Sequence, residues 1–535
     1  MKRRSFFKST AFGSSALFLG GITSCTHQHS FREKEGENMN PADFDLNEVT
    51  VLQLQENMSS GRMTAESICQ KYLDRIAQVD PLLKSVIELN PDALETARKM
   101  DGERKSGKVR SNLHGIPVMI KDNIDTGDKM QTTAGSLALE GHLAGEDAPL
   151  VRRLREAGAV LLGKTNLSEW ANFRSEMSSS GWSGRGGQVR NPWSLDRSPC
   201  GSSSGTGAAV SANLCCIGIG TETNGSIVCP SGVNGLVGIK PTLGLWNRQG
   251  IIPIAHSQDT AGPMCRNITD AAILLGALAS PENYDEETFL PEGEIFTDYT
   301  QFLNPDEVAG KRIGIAREML GFHPLVDECF SQAMEILKSL GIIIAGDVKF
   351  QDRNKMGSSS YQVLLYEFKA DLNRYLSAHA HAPVKSLEAI IAFNELNKDK
   401  EMPWFGQDIF VEAQAKGDLS SQEYLDALKT SKKFSQEEGI DKIMKENKLD
   451  AIVAATNGPA WTIDLVNGDH FSGSSSSPAA ISGYPNITLP MGFVHGLPIG
   501  ISFFGRAWSE PVLLKLAYAY EQATRHRKAP AFSNI

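Results

Sequence analysis

Apolar positions recur along the chain with two different periods, and their alternation sets the expected architecture. From Thr64 the run TAESICQKYLDRIAQVD places Ile68, Tyr72, Leu73 and Ile76 on one face at helical spacing, with Thr64 as N-cap. Residues 113–120 (LHGIPVMI) form a short continuous apolar run around a Gly-Ile-Pro turn, which predicts a buried strand delivering Lys121 at its end. Asp147-Ala-Pro opens a second helix carrying Leu150, Val151, Leu154 and Ala157, and Gly158 stops it. Another buried strand is expected at 159–163, and others at 217–221, from Gly310, at 449–455 and at 486–491. Strands that are apolar throughout, interleaved with helices, predict a single large α/β domain. Its core would be a mainly parallel mixed β-sheet covered by helices on both faces.

Two stretches break this pattern. Residues 174–207 are rich in Ser, Gly, Arg and Pro and almost without apolar periodicity. So long a run of turn-formers inside a compact chain is usually functional rather than a linker. The stretch 285–310 is acidic and polar and reads as an exposed excursion. No internal repeat, heptad run or internal membrane span is legible.

The N-terminus reads differently from the domain. Lys2, Arg3, Arg4 and Lys8 precede a weakly apolar run from Ala11 to Ile22, shorter than the ~20 residues a permanent span requires. Arg3-Arg4-Ser5-Phe6-Phe7-Lys8 is similar to a twin-arginine export signal, and Ile22-Thr-Ser-Cys25 resembles a lipoprotein cleavage site with Cys25 as the acylated residue. The expected organisation is an export signal at 1–24, a polar tether at 25–45 and the domain at 46–535. Localisation is then on the outer side of the cytoplasmic membrane, with a lipid at Cys25 as the only membrane contact.

Composition narrows the partners. The 535 residues are 41% hydrophobic and 22% charged, with 63 acidic against 53 basic residues and a net charge of −10. These numbers describe a large soluble α/β protein. An acidic balance argues against a nucleic-acid partner, which needs clustered Lys and Arg. Eight cysteines with no pair at zinc-finger spacing suggest neither a disulfide framework nor a zinc site. Cys215, Cys216 and Cys229 are expected as small buried thiols.

The chemistry concentrates in residues 200–242, CGSSSGTGAAVSANLCCIGIGTETNGSIVCPSGVNGLVGIKPT. Gly201 to Gly207 form one Gly/Ser loop, and Thr223, Asn224, Gly225 and Ser226 a second. Two small-residue loops can bring hydroxyls and backbone N–H groups to one point, as acyl transfer requires. Singly each is weak, because Gly-Ser turns are common.

Together these residues resemble the amidase signature family. The family's core motif corresponds to Cys200-Gly-Ser-Ser-Ser-Gly, Thr223-Asn-Gly-Ser226-Ile and Gly238-Ile-Lys-Pro-Thr242, and its lysine motif to Gly115-Ile-Pro-Val-Met-Ile-Lys121. Gly163-Lys-Thr-Asn-Leu-Ser-Glu-Trp170, Ser257-Gln-Asp-Thr-Ala-Gly-Pro263 and Gly483-Tyr-Pro-Asn-Ile-Thr-Leu-Pro-Met-Gly492 also fit, so the resemblance spans about 47–527. Within the family, Trp170-Ala-Asn-Phe, Ser180-Gly-Trp-Ser, Leu365-Tyr-Glu-Phe-Lys and Ala507-Trp-Ser-Glu-Pro are similar to its peptide amidase branch. The resemblance implies Ser226 as the acylated nucleophile, Ser202 after a cis Gly201–Ser202 bond as the bridging serine, and Lys121 as the base. Backbone N–H groups of Thr223, Asn224, Gly225 and Ser226 would form the oxyanion hole. A lysine accepts a proton only when neutral, so burial must lower its pKa from ~10.4 by several units. No metal or other cofactor is implied, and the partner is a small-molecule or peptide amide. Asn224 departs from the family, which often has glycine there; Asn tolerates left-handed backbone.

Rival assignments are weaker. No Gly-x-Ser-x-Gly lies in the strand–turn–helix setting of a nucleophile elbow, and no HExxH helix suggests a metal hydrolase. His114, Lys164 and Lys240 read as structural, and Asp259 as a carboxylate that holds loops. Other readings of the activity are a broader amidase on aryl, aliphatic or fatty-acyl amides, the glutamine-hydrolysing component of a tRNA amidotransferase, and a catalytically dead binding protein.

Overall fold

The computed structural model describes residues 44–279 and 295–533. The expected export signal, Cys25 and all but the last residues of the tether lie outside these.

The first helix expected from periodicity forms at Ala65–Leu83, closed at its start by a capping box on Thr64. The second spans Pro149–Glu156, and Gly158 follows it with φ 85°, the left-handed stop that glycine adopts freely. Thirteen strands occur among the described residues. They are β1 (Val86–Leu89), β2 (Pro117–Lys121), β3 (Val160–Thr165), β4 (Trp182–Ser183), β5 (Gly187–Gln188), β6 (Ile217–Glu222) and β7 (Val237–Lys240). The others are β8 (Thr260–Cys265), β9 (Arg312–Ile315), β10 (Ile343–Asp347), β11 (Ala451–Ala455), β12 (Asn486–Val494) and β13 (Leu497–Phe504). All but β4 and β5 join one sheet in the order β1-β3-β2-β6-β8-β7-β12-β13-β11-β9-β10.

The sheet is mixed, but not mainly parallel. Only β3–β2, β2–β6, β11–β9 and β9–β10 pair in parallel. The antiparallel majority comes from elements whose sequence hides them. β8 is Thr-Ala-Gly-Pro-Met-Cys, in which Gly and Pro are poor strand residues. It inserts antiparallel between β6 and β7. β12 and β13 form a hairpin across His495 and Gly496, both at positive φ (48° and 81°), the turn geometry that matches strand twist.

β2, β3, β6, β7, β8, β11 and β13 are buried at every residue, so both sheet faces are covered. The largest core joins them to Ala65–Leu83, Ile268–Leu278, Pro324–Ser339 and Glu510–Thr524. Of the excursion expected at 285–310, the described part, 295–310, is exposed at many positions but anchored: Tyr299 is fully buried in that core, and Phe296 and Phe302 pack edge-on against one another. A second core forms where the 26-residue helix Arg353–Ala378 meets Trp170, Phe173, Ile252, Ile254 and Ala255. That helix therefore sits against loops leaving the strands that carry the candidate chemistry. No helix among the described residues is long and apolar enough to cross a membrane.

Candidate active site

β2 and β6 run in parallel, with Ile120 beside Ile219, so Lys121 and the segment after Glu222 emerge at the same sheet edge. Lys121 is fully buried. Its Nζ lies 2.7 Å from Ser202 Oγ, 2.9 Å from Thr221 Oγ1 and 3.3 Å from the Thr221 carbonyl. Burial pushes its pKa down to about 7, with the carboxylates of Asp259 and Glu222 opposing. A neutral amine has two N–H groups and one lone pair. Donating to the two Thr221 oxygens leaves the lone pair for the Ser202 hydroxyl proton.

The Gly201–Ser202 peptide bond is cis. The Ser202 carbonyl accepts the Ser168 N–H at 3.1 Å, and the next amide, Ser203 N–H, donates to the Ser226 carbonyl at 3.2 Å. Ser203 Oγ donates to the Thr221 carbonyl and accepts the Thr221 N–H. The two Gly/Ser loops are thus laced together through Ser203 and Thr221. They are also joined covalently: Cys200 and Cys229 form a disulfide, their Cα atoms 6.1 Å apart. The expectation of buried thiols therefore fails at Cys229, because the two loops bring together cysteines 29 residues apart in sequence. It holds at Cys215 and Cys216, buried and free.

Ser226 is buried, with 8% of its surface exposed, and begins the turn into the short helix Val228–Val233. Glu222 organises that turn: one carboxylate oxygen accepts the N–H groups of Ile227 and Val228 at 2.8 and 3.1 Å. The N–H groups of Asn224, Gly225 and Ser226 donate to none of the described residues. Gly225 is the residue of this loop at positive φ, 84°, and a Cβ there would meet Ser476 Oγ at 3.1 Å. The left-handed position is thus Gly225 rather than Asn224. Asn224 instead uses its exposed amide to bind Ser476 and Ser477 at 2.7 and 3.2 Å.

Asp259 holds loops, as its motif suggests. It accepts the N–H groups of Ile254 and Ala255 and the hydroxyl of Thr223, at 2.8, 2.8 and 2.5 Å. Burial raises its pKa to about 6. Lys164 donates to the Ile124 carbonyl and Thr132, Lys240 to the Pro241 carbonyl, and the His114 ring lies 2.9 Å from the Met100 carbonyl; each is buried. Sequence reasoning missed Thr221, Glu222 and Ser203. All three lie inside the motif, but a hydroxyl acceptor for lysine or a carboxylate tying down a turn has no signature spacing. Metal-type donor sets occur among the described residues at Asp125, His142 and His379, and at His256, Glu367 and Asp371; neither includes Lys121, Ser202 or Ser226.

Proteins built this way are amide-hydrolysing enzymes, and this chain is one. It belongs to the amidase family, whose model matches residues 67–514. The solved structure of native peptide amidase from Stenotrophomonas maltophilia is similar at 48% identity and a TM-score of 0.87, over 91% of this chain and 99% of that one. A probable amidase of Arabidopsis thaliana is 42% identical over 503 residues, 91% of this chain and 92% of the relative. A glutamyl-tRNA(Gln) amidotransferase chain from Symbiobacterium thermophilum is 31% identical over 485 residues, 88% of this chain and 96% of the relative.

Proposed function

We propose that the protein removes the C-terminal carboxamide of peptides, releasing the free acid and ammonia, through an acyl-enzyme on Ser226. The observation that carries the mechanism is the fully buried Lys121, with a pKa near 7 and its Nζ 2.7 Å from Ser202. Ser226 Oγ attacks the carbonyl carbon and passes its proton to Ser202 Oγ, while the Ser202 proton moves to the Lys121 lone pair. The oxyanion forms beside the unpaired N–H groups of the Thr223–Ser226 turn, fixed before the reaction begins. Return of the proton to the leaving nitrogen breaks the C–N bond and frees ammonia; water then attacks the acyl-Ser226 ester by the same relay. Ser226→Ala should lose all hydrolysis and all covalent labelling by a serine-directed inhibitor while staying folded. Full labelling of that variant would rule out the nucleophile.

The substrate reading is supported by the likeness to peptide amidase and by the surroundings of the serines. Two loops meet beside them: Ser180 N–H and the Trp461 indole N–H both donate to Asp469, and Ser476 binds Asn224. Met177, Val466 and Phe471 on these loops are exposed apolar side chains for a peptide to cover. The slight exposure of Ser226 favours a small –NH₂ leaving group over a continuing chain, and steric discrimination of that kind can be steep. A peptide amide, its free acid and a C-terminally extended peptide, followed by mass spectrometry with glutamine as a fourth substrate, give the test. Internal cleavage of the extension, or turnover of glutamine alone, would overturn the substrate claim.

Export with a lipid at Cys25 belongs to the same proposal. The Cys200–Cys229 disulfide supports it, because such bonds persist in oxidising compartments. Intact mass of the native protein decides the point, an unacylated chain not starting at Cys25 counting against it.

A further inference from the structure

The stretch Leu365-Tyr-Glu-Phe-Lys has no part in the chemistry above, yet Glu367 is fully buried. One helical turn later lies Asp371, also buried. Both carboxylates close on the loop that leads into β8. Glu367 accepts the Ser257 N–H at 3.0 Å and the Tyr424 hydroxyl at 2.8 Å, and lies 3.4 Å from His256 Nε2. Asp371 accepts the His256 N–H at 3.0 Å, faces its Nδ1 at 2.7 Å and accepts Arg374 at 2.7 Å. Two successive backbone amides and both ring nitrogens of His256 are therefore fixed from one face of the long helix.

The next two residues reach the oxyanion turn. Gln258 Nε2 donates to the Thr223 carbonyl at 3.2 Å, while its Oε1 accepts Ser360 Oγ from the same helix at 2.7 Å. Asp259 accepts the Thr223 hydroxyl at 2.5 Å. The carbonyl and the hydroxyl of Thr223 end on Gln258 and Asp259, and Glu367 and Asp371 hold the two residues just before them, His256 and Ser257. An oxyanion site works only if its donors are fixed before charge develops, and a small misplacement there is costly.

We infer that Glu367 and Asp371 are positioning residues for the oxyanion turn, acting through His256–Asp259 on Thr223. The inference rests on the Ser226 mechanism proposed above. The helix thus contributes to rate as well as to packing, which gives the Leu365-Tyr-Glu-Phe-Lys stretch a role that hydrophobic contact alone does not.

Glu367→Gln keeps the shape and one acceptor oxygen but removes the charge beside His256. In the full-length protein it should lower kcat per titrated Ser226 site about tenfold, with KM within twofold. Affinity for a peptide aldehyde, which forms a tetrahedral adduct, should fall by a similar factor, and affinity for the product acid should not. Glu367→Asp should recover part of the rate. Thr223→Val supplies the decisive cycle: combined with Glu367→Gln it should cost far less than the product of the two single effects, because both act on one element. Multiplicative effects, or an unchanged kcat per labelled site, would overturn the inference. Failure of the Ser226 mechanism itself would show separately, as wild-type protein that is not labelled at Ser226.

Discussion

Two lysines lie at the ends of neighbouring parallel strands, and the difference between them supports the proposed roles, one chemical and the other structural. Lys121 ends β2 and pairs in register with Thr165; Lys164 lies one residue earlier on β3, opposite Ile120. Both are fully buried, and burial lowers both pKa values. Around Lys164 stand the carboxylates Asp122, Asp125 and Asp128, which favour its charged form, and its Nζ is occupied by the Ile124 carbonyl and Thr132. Around Lys121 the acceptors are hydroxyls and one carbonyl of Thr221 and Ser202. Each lysine has hydroxyl and carbonyl partners, but the Thr132 hydroxyl beside Lys164 points on to the Ile124 carbonyl at 3.4 Å, which only accepts, whereas Ser202 beside Lys121 lies in the serine loops. Burial makes a lysine titratable near neutrality, and its partners decide whether the released proton has a path to travel.

The largest expected effect separates the two outright. Lys121→Ala should lower kcat by about 10²–10⁴-fold, the range for a positioned acid–base group. A rate near wild type at pH 7 would place the base elsewhere. The pH profile comes next. As the proposed base, Lys121 acts only when neutral, and burial pushes its pKa down to about 7. So kcat/KM should fall about tenfold per pH unit on acidification below that value and level off above it. Rates of a peptide amide between pH 5 and 9 test this, and a profile flat from 6 to 8 would refute it. Thr221→Val removes one acceptor from Lys121 and the partner of Asn123. It should cost about tenfold in kcat, equivalent to one hydrogen bond of about 1.4 kcal/mol. The smallest kinetic effect belongs to Lys164→Met, where kcat should change less than threefold. That variant leaves the Ile124 carbonyl and Thr132 without their donor and removes one of the two cations near buried Asp122, the other being Arg185 at 3.6 Å. Chemical denaturation should show a loss of about 2–4 kcal/mol. Loss of activity without loss of stability would erase the distinction between the two lysines.

Much of the candidate site is local in sequence, and so it was legible. Ser202, Thr223, Asn224, Gly225 and Ser226 fall within one motif, because small residues must occur together where backbone N–H groups converge. Lys121 was legible as well, since a continuous apolar run predicts a buried strand and the residue that ends it. The strand and helix positions near Thr64, Pro149, Ile217 and Ala451 follow from the same short-range periodicity.

What only the tertiary structure decided are relations between segments far apart. The antiparallel insertion of β8 depends on which neighbours can satisfy its ladder, not on its own Gly- and Pro-containing sequence. The Cys200–Cys229 bond, the pairing of Asn224 with Ser476 and the grip of Glu367 on Ser257 join residues whose separation gives no periodic signal. The low pKa of Lys121 belongs here too: a lysine side chain is the same at every position, and only the packed sheet edge removes the water that would keep it charged.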